Sequence, residues 1–83
     1  MDTHISKRIW QFIELVTDRK LPPEQQRNDQ CFAALGIDSL KLVQLIFETE
    51  TAFEIEIPEH LLFNLETVEE LILLVMHYRK SAA

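Results

Sequence analysis

Three residues that could support chemistry lie close together near the middle of the chain: Gly36, Asp38 and Ser39. Gly36 is the chain's single glycine, and it permits a turn that a residue with a Cβ atom resists. Asp38 is a strong N-cap residue in front of an apolar run, so it predicts a helix that begins at Ser39. The arrangement puts one serine hydroxyl at the exposed N-terminus of a helix, which makes Ser39 the first candidate functional residue.

A serine hydrolase that uses Asp38, Ser39 and a histidine is one possible chemistry for this segment. The sequence lacks a Gly-x-Ser-x-Gly elbow around Ser39. An 83-residue chain also cannot easily enclose a triad together with an oxyanion hole. We therefore predict that the chain is not an enzyme.

The spacing of apolar residues along the chain predicts the helices that must position this serine. The pattern predicts helices over about 4–18, 39–53, 58–63 and 68–79, with a long polar loop over 22–30 that carries a helical turn near Glu24. Thr67 and Glu70 form a capping box at the start of the last helix. The predicted fold class is all-α: a small four-helix bundle with three longer helices, one short helix and a long first loop.

The apolar stripes predict which residues of the first and last helices face the core. Trp10 lies off the first stripe and is expected at its margin, and the two prolines at 22 and 23 are expected to end the first helix. The segment 54–57 alternates like a strand but has no partner, so it is read as an extended link. The inward-facing sets are Ile5, Ile9, Phe12, Ile13 and Val16 in the first helix and Val68, Leu71, Ile72 and Val75 in the last.

The second predicted helix has more apolar residues than one face can hide. Some of them should be exposed, which indicates a binding surface or an internal ligand. The apolar residues of this helix are Leu40, Leu42, Val43, Leu45, Ile46, Phe47 and Phe53.

Composition and charge narrow the class of protein. Eighty-three residues predict one domain over 1–83, with residues 81–83 frayed. The net charge of −6 disfavours nucleic acid and anionic membranes as partners. No signal peptide or membrane-spanning run is visible, and the single cysteine, Cys31, is compatible with a cytoplasmic location. His4, His60 and His77 have no metal-ligand spacing, so no metal site is expected.

Three motifs, in order and at family spacing, together resemble the acyl carrier proteins. They are Phe32-Ala33-Ala34-Leu35-Gly36-Ile37-Asp38-Ser39-Leu40, Phe53-Glu54-Ile55-Glu56-Ile57-Pro58 and Leu65-Glu66-Thr67-Val68. The resemblance covers nearly the whole chain. It implies that a phosphopantetheinyl transferase, with magnesium, esterifies Ser39 with 4′-phosphopantetheine from coenzyme A. The carrier then holds acyl groups as thioesters on the thiol of that arm and presents them to separate enzymes.

The same resemblance implies roles for the neighbours of Ser39. Gly36, Asp38 and Leu40 lie beside the arm, and Asp38 is expected to help place the magnesium ion of the transferase. The implied partner-binding residues are Val43, Gln44, Phe47, Glu48 and Ile57. Lys41 and Gln44 stand where fatty-acid carriers usually have acids, which favours a specialised pathway with its own ligase, synthase or transferase.

Three functions remain open from the sequence. The first is a monomeric acyl carrier of a fatty-acid-like or polyketide-like pathway. The second is an aminoacyl or peptidyl carrier of a non-ribosomal-peptide-type pathway, since the motif spacing around Ser39 also occurs there. The third is a helical interaction module that is never modified. Attachment of phosphopantetheine to Ser39 separates the first two from the third.

Overall fold

The computed structural model describes the backbone of residues 3–81 and the side chains of residues 3–79. Its α-helices are α1 (Thr3–Thr17), α2 (Ser39–Phe53), α3 (Glu59–Leu62) and α4 (Val68–Ser81), and short 3-10 turns occupy Pro23–Gln25 and Ala33–Leu35. The predicted all-α bundle of three longer helices and one short one is confirmed. Residues 82 and 83, for which we predicted fraying, lie outside the described residues, whereas α4 includes Ser81.

Helix α1 buries a wider face than its sequence stripe predicted. Ile5, Ile9 and Ile13 are buried as expected, but Trp10 is only 2% exposed, so its predicted marginal position was wrong. Both α2 and α4 pack against α1, which widens the face that must be apolar. The indole Nε1–H of Trp10 donates to Asn28 Oδ1 at 2.9 Å, so burial of the ring leaves its polar atom paired.

Helix α1 ends before the prolines that were expected to stop it. Asp18 adopts a left-handed conformation with φ of 54°, which aspartate tolerates better than most residues. The Asp18 N–H donates to the Leu15 carbonyl and the Arg19 N–H to the Glu14 carbonyl, at 3.3 and 3.2 Å. These two bonds form a Schellman motif, so the chain turns at Asp18 rather than at Pro22.

The long first connection is held against the start of α4. An isolated antiparallel bridge joins Cys31 to Thr67, and the Phe32 N–H donates to the Glu66 carbonyl at 2.8 Å. The carbonyls of Gln30 and Asn28 accept the first two N–H groups of α4, at 3.2 and 2.8 Å. These bonds fix the residues that lead into the segment containing Ser39.

The core lies where α1, α2 and α4 meet. The predicted inward residues of α4, Val68, Leu71, Ile72 and Val75, are all fully buried. The radius of gyration is 11.7 Å. A folded chain of this length is expected at about 12 Å. Glu54 ends α2 in a left-handed conformation with φ of 55°, so only residues 55–57 of the predicted extended link follow the helix, and they belong to no helix or strand of the described residues. Within the same described residues, no helix combines the length and apolar character needed to cross a membrane.

Candidate functional site

The site is built at the turn that leads into α2. The 3-10 turn Ala33–Leu35 ends at Gly36, which has φ of 80° and ψ of 21°, in the left-handed region that favours glycine. Leu35 and Ile37 on either side of Gly36 are buried, so the turn is anchored in the core at both ends. The chain therefore reaches Ser39 along a fixed path.

Asp38 caps α2 as predicted. Its backbone is extended, and its Oδ1 accepts the Lys41 N–H at 2.9 Å, while its carbonyl accepts the Leu42 N–H at 2.8 Å. Ser39 is the first residue of the helix and is exposed. The predicted placement of a serine at an open helix N-terminus is thereby confirmed.

A contact from just beyond the end of α1 supports this turn, and no sequence pattern predicted it. The Arg19 guanidinium donates from Nη2 to the Leu35 carbonyl at 2.8 Å. Arg19 follows the end of α1 and lies 16 residues before Leu35 in the chain. The bond holds a carbonyl of the 3-10 turn that carries Gly36, so Arg19 connects the end of α1 with the approach to Ser39.

The start of α2 fits an attached phosphate. Within residues 3–81, the N–H groups of Ser39 and Leu40 donate to no protein acceptor, whereas that of Lys41 is held by Asp38. Unpaired N–H groups and the helix dipole both favour an anion at a helix N-terminus. A phosphodiester on Ser39 Oγ would therefore lie beside available donors and outside the core.

A groove opens beside Ser39 between α2 and α3. Its volume is about 660 Å³, and most of its exposed wall is apolar. The face of α2 that includes Val43 and Ile46 forms one wall, and Leu62 and Phe63 at the end of α3 form the other. Phe63 is 81% exposed, and the groove is open to solvent rather than enclosed. An apolar group tethered to Ser39 could lie along it.

The outer face of α2 has the excess apolar residues that the sequence indicated. Leu40, Val43 and Phe47 are 68%, 58% and 64% exposed. The predicted exposure of Val43 and Phe47 is confirmed, and their binding of a partner stays a prediction. Gln44 is exposed and Glu48 is half-buried on the same helix.

Ile57 is a correction to the predicted partner surface. Its side chain is 6% exposed and belongs to the hydrophobic core. Its backbone N–H donates to Glu50 Oε2 at 2.8 Å, and along the link Ile55 and Ile57 are buried while the intervening Glu56 is exposed. A buried side chain offers no surface to a partner, so Ile57 acts in the fold instead.

The described residues contain no group of three or more histidine, cysteine, aspartate or glutamate side chains placed to hold a metal ion. Cys31 is exposed and is one of the residues that line the groove. Among the residues that line the groove beside Ser39 are Asp38, Glu59 and Glu66, but no histidine.

Comparison with known proteins gives two kinds of match. The PP-binding family model, described as a phosphopantetheine attachment site, matches residues 11–75. An acyl carrier protein homolog of Mycoplasmopsis pulmonis (strain UAB CTIP) is 36% identical over 56 residues, which is 68% of this chain and 77% of that protein. No solved structure matches significantly.

A much larger protein also contains a similar segment. Methylphloroacetophenone synthase of Cladonia uncialis is 31% identical over 70 residues, which is 84% of this chain. The match spans only 3% of the synthase, so it concerns one segment of that protein.

Proposed function

Because the chain belongs to the acyl carrier protein family, whose attachment domain bears 4′-phosphopantetheine, we propose that Ser39 is the attachment residue and that the chain carries acyl groups on that arm. The observation that carries this proposal is the exposed Ser39 at a helix start, where two N–H groups have no acceptor among the residues that the structure describes. When bound, the arm supplies a thiol that forms an energised thioester. The chain supplies the attachment point and the surface that enzymes recognise.

The surroundings of Ser39 support its role as a residue that another enzyme modifies, and not as a catalytic nucleophile. A serine hydroxyl is a weak nucleophile until a base removes its proton. The described residues that line the groove beside Ser39 offer carboxylates but no histidine. The phosphopantetheinyl transferase is therefore the partner that activates Ser39, with Asp38 helping to place its magnesium ion, and a separate ligase, synthase or transferase loads the arm.

The apolar groove favours acyl cargo over aminoacyl cargo. Each buried methylene group stabilises by about 0.8 kcal/mol, so an alkyl chain gains from the walls around Val43 and Leu62 whereas a short polar aminoacyl group gains little. We expect the octanoyl form to melt at a higher temperature than the form with a free thiol, and the glycyl form to melt with the latter. Equal melting of all three forms would remove this support for acyl cargo.

The pathway we propose is a specialised one, fatty-acid-like or polyketide-like. The similar segment of methylphloroacetophenone synthase supports the polyketide-like alternative. Lys41 and Gln44 on α2 support recognition by dedicated enzymes, since they stand where fatty-acid carriers usually have acids. We place the carrier, as a monomer, in the cytoplasm, because a reducing compartment suits both the exposed Cys31 thiol and a thiol-ended arm.

The decisive experiment is the intact mass of the protein before and after incubation with coenzyme A, magnesium and a broad-specificity phosphopantetheinyl transferase. We expect the wild type to gain one phosphopantetheine and Ser39→Ala to gain none. Thr51→Ala is the matched control, because it removes an exposed hydroxyl from the same helix. It should be modified like the wild type.

Two results would contradict the proposal. Modification of Ser39→Ala would place the arm elsewhere. Failure of the folded wild type to gain mass, both with this enzyme and in an extract of its own cells, would favour an unmodified interaction module.

A further inference from the structure

An exposed leucine on α1 is unexplained by the attachment site. Leu15 lies near the end of α1 and is 64% exposed, as much as Phe47 on α2. Single exposed apolar residues are common on protein surfaces and by themselves indicate nothing. What distinguishes Leu15 is its neighbours.

Leu15 shares a surface depression with the outer face of α2. The depression has a volume of about 480 Å³, and Leu15 and Val16 of α1 line it together with Val43 and Phe47 of α2. Val43 also lines the groove beside Ser39. An apolar surface therefore continues from Ser39 across α2 to α1, and we name Leu15, Val43 and Phe47 the α1–α2 patch.

The α1–α2 patch is close enough to Ser39 to lie within the interface of an enzyme that binds there. Ser39 and Phe47 are eight positions apart on one helix, which corresponds to about 12 Å along its axis. Specific interfaces bury about 800 Å² on each partner. The surface of this protein is 5469 Å² in total. A transferase that takes the Ser39 hydroxyl into its active site must therefore cover a substantial part of one side of the bundle.

The chemistry of the patch defines what the transferase presents to it. Its three members are uncharged and apolar, and the charged residue of the depression, Glu48, is half-buried. The buried centre of an interface is more apolar than its rim, and the side chains that carry binding energy there lose their water on binding. A mainly charged docking surface would leave these three side chains without partners.

We propose that the phosphopantetheinyl transferase docks an apolar surface on the α1–α2 patch, with Leu15 as a contact on α1. This inference rests on the proposed function, since it requires Ser39 to be the modified residue. It extends the partner surface from α2, where the family resemblance placed Val43 and Phe47, onto a second helix. Leu15 is a binding residue and takes no part in the chemistry at Ser39.

The test is the steady-state kinetics of modification with coenzyme A and a broad-specificity transferase. We expect Leu15→Gln to raise the KM for the carrier about fivefold or more, with kcat nearly unchanged, as for loss of one interface anchor. Leu15→Met keeps the apolar surface and should restore the wild-type KM. Leu73→Gln is the matched control, because Leu73 is a 51% exposed leucine on α4.

Each result decides the question. A higher KM for Leu15→Gln alone supports docking on the patch. An unchanged KM for that variant, or an equal increase for Leu73→Gln, overturns it. Circular dichroism must show both variants folded, and Val43→Gln provides a second test of the same patch. Loss of all modification in the wild type would instead overturn the proposed function itself.

Discussion

The N-termini of α2 and α4 are each capped by a polar side chain, but they differ in what holds their backbone N–H groups. At α4, the first two N–H groups donate to the carbonyls of Gln30 and Asn28, and the third donates to Thr67 Oγ1 at 3.2 Å. At α2, Asp38 accepts the N–H of Lys41, and those of Ser39 and Leu40 have no acceptor within residues 3–81.

The difference shows where the fold uses its hydrogen-bonding capacity and where it leaves that capacity available. The start of α4 is tied to the long loop, and through Asn28 to α1, because Ser6 and Trp10 both donate to Asn28 Oδ1. The start of α2 is anchored in the core by Leu35 and Ile37, on either side of Gly36, and its first residues are exposed to solvent. The start of α4, which we call the closed start, stabilises the bundle, and the start of α2 presents Ser39.

The largest expected effect comes from Asp38→Asn, which separates the capping role of Asp38 from the role of its negative charge. Asp38→Asn keeps a side-chain oxygen for the Lys41 N–H but removes the carboxylate that we propose helps place magnesium. Loss of a residue that assists a metal lowers activity about 10-fold to 100-fold. We expect a fall of that size in kcat/KM for modification, with unfolding free energy close to that of the wild type.

Thr67→Ala provides the contrast at α4. It should cost about 1 kcal/mol of stability through its lost cap, with no change in modification of the folded protein. Both effects can be followed by urea unfolding and by the rate of mass gain. If Asp38→Asn is modified at the wild-type rate, Asp38 serves only as a cap and the two helix starts are more alike than we propose.

The second prediction weakens the closed start. Asn28→Ala removes the acceptor of the Trp10 indole N–H, and a buried donor left unpaired costs about 1–3 kcal/mol. Asn28→Asp retains a side-chain acceptor and should lose less. We expect urea unfolding to show this order, with the modification rate of the folded variants unchanged. A slower modification of folded Asn28→Ala would mean that the α4 start also controls Ser39.

These long-range contacts mark the boundary of what the sequence could predict. The bounds of α2, the cap at Asp38 and the capping box at Thr67 were all predicted, because each depends on residues three or four positions apart. The bonds from Arg19 to Leu35 and from Trp10 to Asn28 were not. They depend on where the connection over residues 18–38 returns in space, and no local pattern encodes that path.

The candidate site divides in the same way. Ser39, Gly36 and the exposed face of α2 follow from a short motif and from a surplus of apolar residues. The family resemblance placed Ile57 on the partner surface, whereas packing of the link turns its side chain into the core. The Glu50 carboxylate holds the link near α2 by accepting the Ile57 N–H from seven residues away, a contact that no local pattern predicts. Continuity between Leu15 and α2 likewise required the packing of two helices.

The third prediction concerns Gly36, in the turn that leads into α2. A Cβ added at Gly36 meets no atom within 4 Å, so the cost of Gly36→Ala comes from its φ of 80° alone. We expect a loss of about 1–2 kcal/mol in urea unfolding. Gly36→Asn should lose less, because asparagine tolerates the left-handed region. Equal losses for both variants would mean that something other than backbone conformation selects glycine here.

The smallest expected effect is a pH dependence at the closed start. The N–H groups of Glu66 and Thr67 donate to Glu70 Oε1 at 2.8 and 2.9 Å, and these bonds lower the pKa of the Glu70 carboxyl. Since the folded pKa lies below the unfolded one, about 4.3, the stabilisation is present above that pH. It is lost as the pH falls through the folded pKa.

Glu70→Gln should therefore be slightly less stable than the wild type near neutral pH, and the two should converge in acid. Glutamine preserves a capping-box acceptor, so the difference reports the charge rather than the cap. Glu69→Gln is the control, since it removes a neighbouring first-turn carboxylate while the two N–H bonds go to Glu70. Thermal melts from pH 3 to pH 7 measure the comparison. A gap between wild type and Glu70→Gln that stays constant over this range would mean that the closed start depends on its geometry and not on the charge of Glu70.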